Sequence, residues 1–230
     1  MILAAGRGER MRPLTDQLPK PLLQVAGISM IERHLFALSE AKFKRVIINI
    51  SYLGEKIRRH LGSGADFGLE LIFSEEIPEP LETAGGIKNA LPLFNSEEIL
   101  VINGDIVTDI PFDAIKLPSQ SNIHLMLVDN PPHHPNGDFC LEQNPSSEDN
   151  LLGISDETDP GRLTYSGVGC YRLSLFDAIP QGKSPLAPII KQQAEQGKAT
   201  AFHYPGMWID VGTVDRLKQA DSLLSRQKMP

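Results

Sequence analysis

Through the first hundred residues, short runs of consecutive apolar residues alternate with segments whose apolar residues return every three or four positions. Ile2–Ala5 is such a run, and a loop rich in glycine and arginine follows it. Met30–Ala41 sets Ile31, Leu35 and Leu38 at helical spacing, and Val46–Ile50 is rich in β-branched residues. Leu53–Leu61 predicts a second amphipathic helix, Leu69–Phe73 a strand, Ala84–Leu91 a short helix and Ile99–Ile102 another buried strand. Strands without polar alternation, separated by helices, indicate a parallel sheet covered on both faces. The fold class predicted is α/β, a doubly wound and mostly parallel sheet with ligands at the carboxyl ends of its strands.

From Asp129 the texture changes. DNPPHHPNGDFCLEQNPSSEDN is dense in turn formers and interrupts the strand–helix rhythm. Short strand-like pieces follow at Leu151–Ile154, Leu163–Tyr165 and Val168–Tyr171, then helices at Leu186–Gln196 and Val214–Leu224, the last with Thr213 as a plausible N-cap. One sheet-centred domain over 1–230, whose later part adds a small β-rich wall beside the site, accounts for this order.

Composition narrows the function. The chain has 230 residues, with 41% hydrophobic and 22% charged, ordinary for a globular protein. Its net charge of −7 argues against nucleic acid or an anionic membrane as the main partner. No apolar run is long enough to span a bilayer, and MILAAGRGER lacks the basic start of a signal peptide. Cys140 and Cys170 are too few for a disulfide framework, so the expected setting is the reducing cytoplasm, with both thiols idle.

The loop Gly6-Arg7-Gly8-Glu9-Arg10 follows the first strand, where α/β proteins place phosphates. A dinucleotide fingerprint would need a third glycine where Met11 stands and an acid ending the second strand, which instead reads Asn49-Ile50-Ser51. A Walker loop would need Gly-Lys-Ser/Thr, which is missing. What remains is a cationic cluster in an acidic protein, with Arg7, Arg10, Arg12 and Lys20 against Glu9 and Asp16. No Ser/His/Asp or Cys/His nucleophile set stands out.

LAAGRGERMRPLT followed by PKPLLQVAG resembles the signature of the sugar-1-phosphate nucleotidyltransferases. Met1 falls inside the first strand, where relatives carry a few more residues before it. The resemblance implies a Rossmann-like nucleotidyltransferase fold, with 1–128 the nucleotide-binding half and 129–230 the sugar-binding half and C-terminal helix. It implies that the amides of Gly6, Arg7, Gly8, Glu9 and Arg10 wrap the triphosphate of UTP while Arg10 and Lys20 neutralise its charge. Asp105, in NGD at the end of a buried strand, would bind Mg²⁺, and Asp210, in WIDVGT, would be the second metal acid. PLETAGG resembles the base-reading segment, with Gly85 facing the pyrimidine edge. It departs from the family at Glu82, where many members have glycine, and at Glu75-Glu76, near the place of a common glutamine. Asn103, Asp138 and Gly167 resemble the wall that holds the sugar 1-phosphate, and Arg10, Lys20 and Asp105 the catalytic set.

The tripeptide Glu-Lys-Pro, whose lysine meets the sugar phosphate in many relatives, is missing, so Arg162 or a metal is expected to stand in. His133-His134 reads as a solvated pair in a proline loop, and Trp208 as wall packing. The length leaves no room for a C-terminal β-helix, and no hexapeptide repeat is visible. A non-catalytic nucleotide-sensing subunit is the competing class, and the presence of Lys20, Asp105 and Asp210 argues against it.

Overall fold

The computed structural model describes residues 1–144, 149–156 and 158–227; part of the turn-rich segment lies outside them. The strands among the described residues are, in chain order, β1 (Ile2–Leu3), β2 (Gln24–Val25), β3 (Ile28–Ser29), β4 (Arg45–Ile50), β5 (Glu70–Glu75), β6 (Glu98–Asn103), β7 (Ile106–Thr108), β8 (Ile123–Val128), β9 (Cys140–Glu142), β10 (Asn150–Gly153), β11 (Thr164–Arg172), β12 (Ala199–His203) and β13 (Trp208–Asp210). The α-helices are α1 (Leu14–Gln17), α2 (Met30–Glu40), α3 (Gly54–Leu61), α4 (Glu82–Ala90), α5 (Ala187–Glu195) and α6 (Val214–Gln227).

Nine strands form one sheet in the order β5-β4-β1-β6-β11-β8-β12-β10-β9. Only β11 and β10 run against the rest. Strands from both parts of the chain share this sheet. β1 lies between β4 and β6, so the chain winds one way to β4 and β5 and the other way to β6. The carboxyl ends of β1 and β6 are therefore a topological switch point, where open α/β sheets place ligands.

The period-two alternation of the strands sorts their side chains between two cores. Val46, Ile48 and Ile50 of β4 and Leu100 and Ile102 of β6 pack with Ile31, Leu35 and Ile57 from α2 and α3. Ile47, Ile99 and Val101 face the other way, onto Ile87 of α4 and Ile190 of α5. Near-continuous apolar strands follow from that double coverage.

Helix starts follow from local chemistry. Ser29 accepts from the Glu32 amide while Glu32 reaches back to the Ser29 amide, a reciprocal capping box for α2. Thr213 Oγ1 accepts from the Arg216 amide at 3.3 Å and caps α6 as expected. A third cluster joins Met11 of the glycine loop to Val107, Val211 and Leu224, so α6 clamps the loop and the β7–β13 pair together.

Three expectations are refined. The pieces Leu163–Tyr165 and Val168–Tyr171 are one strand, β11, with a register shift between Tyr165 and Gly169. β8 is a fully buried strand lying between β11 and β12, a strand the periodicity reading passes over. The expected helix from Ala84 begins two residues earlier, at Glu82.

Candidate active site

Register brings the site together. Asn49, Leu3 and Asn103 are paired across β4, β1 and β6, and Val168 of β11 sits opposite Ile102. The chain then turns away from this level line at Ala4, Gly104 and Gly167. Gly167 (φ 79) lies against the Asn103 side chain, closer than any Cβ would allow. Its role is thus to seat Asn103, which lines cavities on both of its sides.

The first cavity, about 250 Å³, lies over the switch point and is bounded by Gly6, Lys20, Glu76, Thr83, Asn103 and Asp105. Gly6 has open space where a side chain would stand, whereas a Cβ on Gly8 (φ 68) would stand 3.1 Å from Lys20 Cβ, so the loop closes onto the lysine stem. Lys20 is buried and its Nζ donates to Asp105 Oδ2 at 2.5 Å. Arg7 stacks on Tyr52 and, with Glu9, borders a neighbouring cavity. Arg12 pairs with Asp16 on the surface and takes no part in the cleft.

A buried network forms the far wall. Asn49 accepts from the Ala4 amide and donates to Glu76, whose other oxygen accepts from the Leu81 amide. Glu76 has two neutral donors and no cation, and burial holds its carboxyl above the ordinary range. It ties the end of β1 to the start of α4. Glu82 holds a left-handed φ of 61° at the place where the resemblance puts glycine. Gly85 departs from its expected role: its amide donates to Ser184 O at 3.1 Å and its Cα abuts the Gly182 carbonyl. It packs α4 against the 182–184 loop, and Thr83 and Glu82 face the cleft instead.

A second cavity, about 430 Å³, opens between β6, β7, β11 and β13 and is lined by Arg10, Asn103, Asp105, His133, Trp208 and Asp210 among others. β13 pairs with β7 so that Asp210 sits opposite Ile106, and the Val211 amide donates to Asp105 O at 2.9 Å. The two acids, 105 positions apart in sequence, thus share one cavity. Each has one oxygen engaged, Asp105 by Lys20 and Asp210 by Arg216 at 2.8 Å, and an Oδ1 without a partner among the described residues. Two hard carboxylate oxygens beside a phosphate-sized cleft fit Mg²⁺, which takes one or two carboxylates and completes its shell with water and phosphate oxygens. No group of three or more His, Cys, Asp or Glu gathers among the described residues, which sets this apart from a dedicated protein cage.

The wall corrects one expectation. Arg162 gives its guanidinium to the carbonyls of Ser155, Gly137 and Asp138, so it braces the loops and cannot anchor a phosphate. His133 and His134 are solvated in the proline loop, as expected, and also line the second cavity. His134 contacts Asp138 at 3.1 Å, and Asp138 also accepts from the Tyr165 amide at 2.8 Å. His133 meets Arg216 and Asp210; desolvation first, then the Arg216 charge, lowers its pKa. Trp208 donates to Ser166 O at 2.8 Å and packs as wall, as expected. Arg216 is the residue the sequence reading missed: on an amphipathic helix it looks like any solvated arginine. Cys140 and Cys170 are free, and burial pushes the Cys170 thiol up to about 12. No described helix is long and apolar enough to cross a membrane.

A family model described as nucleotidyl transferase matches residues 1–137. The chain is 46% identical, over 99% of both sequences, to an N-acetylmuramate alpha-1-phosphate uridylyltransferase of Neisseria meningitidis. It is 31% identical to a protein of the same name from Caulobacter vibrioides, over 98% of this chain and 96% of that one. In fold it is similar to a solved structure of a Bacillus anthracis protein titled as a putative glucose-1-phosphate thymidylyltransferase, with a TM-score of 0.81 at 19% identity, covering 100% of this chain.

Proposed function

The chain belongs to the nucleotidyl transferase family, and from that premise we propose that it transfers a uridylyl group from UTP to N-acetylmuramate 1-phosphate, releasing pyrophosphate. The observation that carries this reading is the end-to-end 46% identity to a protein of that named activity. The site supports it, because Lys20, Asp105, Asp210 and Arg10 converge at the sheet's switch point.

In the reaction a phosphate oxygen of the sugar ester attacks the α-phosphorus of UTP in line. The bond from α-phosphorus to the bridging oxygen breaks, and that oxygen leaves with pyrophosphate. The nucleophile is already anionic near neutral pH, so no side chain has to take a proton. The chain contributes positioning and charge. Amides of the Gly6–Arg10 loop hold the triphosphate, and Lys20, fixed by Asp105, places a cation where charge develops. Asn103, seated by Gly167, stands between the two substrates and keeps their phosphates in register. Asp138 and Asn103 accept sugar hydroxyls. Asp105 and Asp210 would hold Mg²⁺, which would supply positive charge to offset that of the phosphates.

The reading sets the reaction in the cytoplasm, with the product serving reuse of cell-wall muramate. Pyrophosphate release with Mg²⁺, across UTP, dTTP, CTP and GTP and the 1-phosphates of N-acetylmuramate, N-acetylglucosamine, glucose and mannose, tests the assignment. Preference for UTP with the muramate ester is expected. Preference for another sugar keeps the chemistry and discards the substrate, and no release with any pair overturns the reading.

A further inference from the structure

We infer that Arg216, seated on Gly212 beside Asp210, forms with Arg10 and His133 an oxyanion subsite that holds the sugar 1-phosphate. The inference rests on the uridylyl-transfer reading and deepens it. Arg216 lies in the first turn of α6, where the helix dipole disfavours a cation. Something other than the helix therefore keeps it there. Its side chain is 13% exposed and is held on several sides, by Thr213 Oγ1, Asp210 Oδ2 and His133 Nε2.

What these contacts leave over is the second guanidinium nitrogen. Nη2 has no hydrogen-bond partner among the described residues and lies against the Cα of Gly212, in space a Cβ would fill. Arg10 Nη2 reaches within 3.2 Å of that same point, and Arg10 has no ion pair among the described residues. Two guanidinium groups thus converge on one spot, and the one acid paired with either among the described residues is Asp210, held by Arg216. Like charges at that separation repel unless an anion joins them, and the planar fork of arginine matches phosphate or carboxylate oxygens. Arg10, His133 and Asp210, which meet Arg216 at this spot, line the cavity that also holds Asp105. N-acetylmuramate 1-phosphate offers two such oxyanions, its phosphate and its lactyl carboxylate.

Steady-state kinetics of the full chain with UTP, Mg²⁺ and the muramate ester test this with three variants. Arg216→Met is expected to raise KM for the sugar phosphate about 30-fold or more, the loss typical when one partner of a charge-assisted contact is removed, with KM for UTP within about twofold. Arg216→Lys retains charge without the fork and falls between. Gly212→Ala displaces only the far end of a flexible side chain, so it should melt like wild type and still raise the sugar-phosphate KM. Inhibition by N-acetylglucosamine 1-phosphate, which lacks the lactyl group, and by free N-acetylmuramate, which lacks the phosphate, tells the two oxyanions apart. Weakened inhibition by the first in Arg216→Met assigns the phosphate, and by the second the carboxylate. A folded Arg216→Met with unchanged sugar-phosphate KM, or with both KM values raised equally, overturns the subsite. Failure of the wild type to release pyrophosphate with any sugar phosphate overturns the parent reading instead.

Discussion

Lys20 and Asp105 show how a side chain acquires its role from its neighbours. Lysine is rarely buried without a partner, and here the 2.5 Å contact to Asp105 fixes a cation at the end of β6. Beneath them His34, 3% exposed, packs among α2 and the β6–β7 turn. Desolvation, the largest influence, drives its pKa down to about 4 from 6.5. Between those values the unfolded chain binds a proton that the native state does not. His34 therefore contributes stability that is full above pH 6.5 and drains away as the pH falls toward 4, on the order of 3 kcal/mol in all. Melting temperatures at pH 7 and pH 4.5 should diverge more in the wild type than in His34→Met; equal divergence would remove His34 as the cause. The sequence showed Lys20, Asp105 and Asp210 through their motifs. It hid Arg216, because only the fold brings Gly212, His133 and Arg10 to it. It also misassigned Gly85, whose amide is claimed by a loop a hundred residues away.

At the scale of elements, the readable ones were those whose burial is one-sided and regular. α2 combines a capping box with Ile31, Leu35 and Leu38 on one face, and both signals are local. Ser29→Ala removes the N-cap acceptor and should cost about 1 kcal/mol, a fall of about 2–4 °C in Tm with turnover retained. An unchanged Tm would mean the Ser29–Glu32 exchange does not hold the helix start. β8 escaped because His124, Leu125, Met126 and Leu127 carry neither β-branching nor alternation, so an apolar run of that length does not declare its period. β11 looked like two strands because Gly167, at positive φ, breaks the pattern where Asn103 needs room.

At the scale of the molecule, the site is a consequence of how one sheet is threaded. Reversal of winding at β1 opens the cleft, and antiparallel β11 brings Gly167 and Ser166 alongside the end of β6. The β7–β13 pair carries Asp210 to Asp105, and α6 packs on that pair while burying Met11 of the glycine loop. The central claim is that this convergence, with Asp105 at its middle, is the catalytic centre. Its most direct test is pyrophosphate release from UTP and N-acetylmuramate 1-phosphate by wild type and Asp105→Asn, with melting curves for both. The account predicts a loss of about 10²–10³ in kcat or more in a variant that remains folded. Near-normal turnover by Asp105→Asn would contradict it.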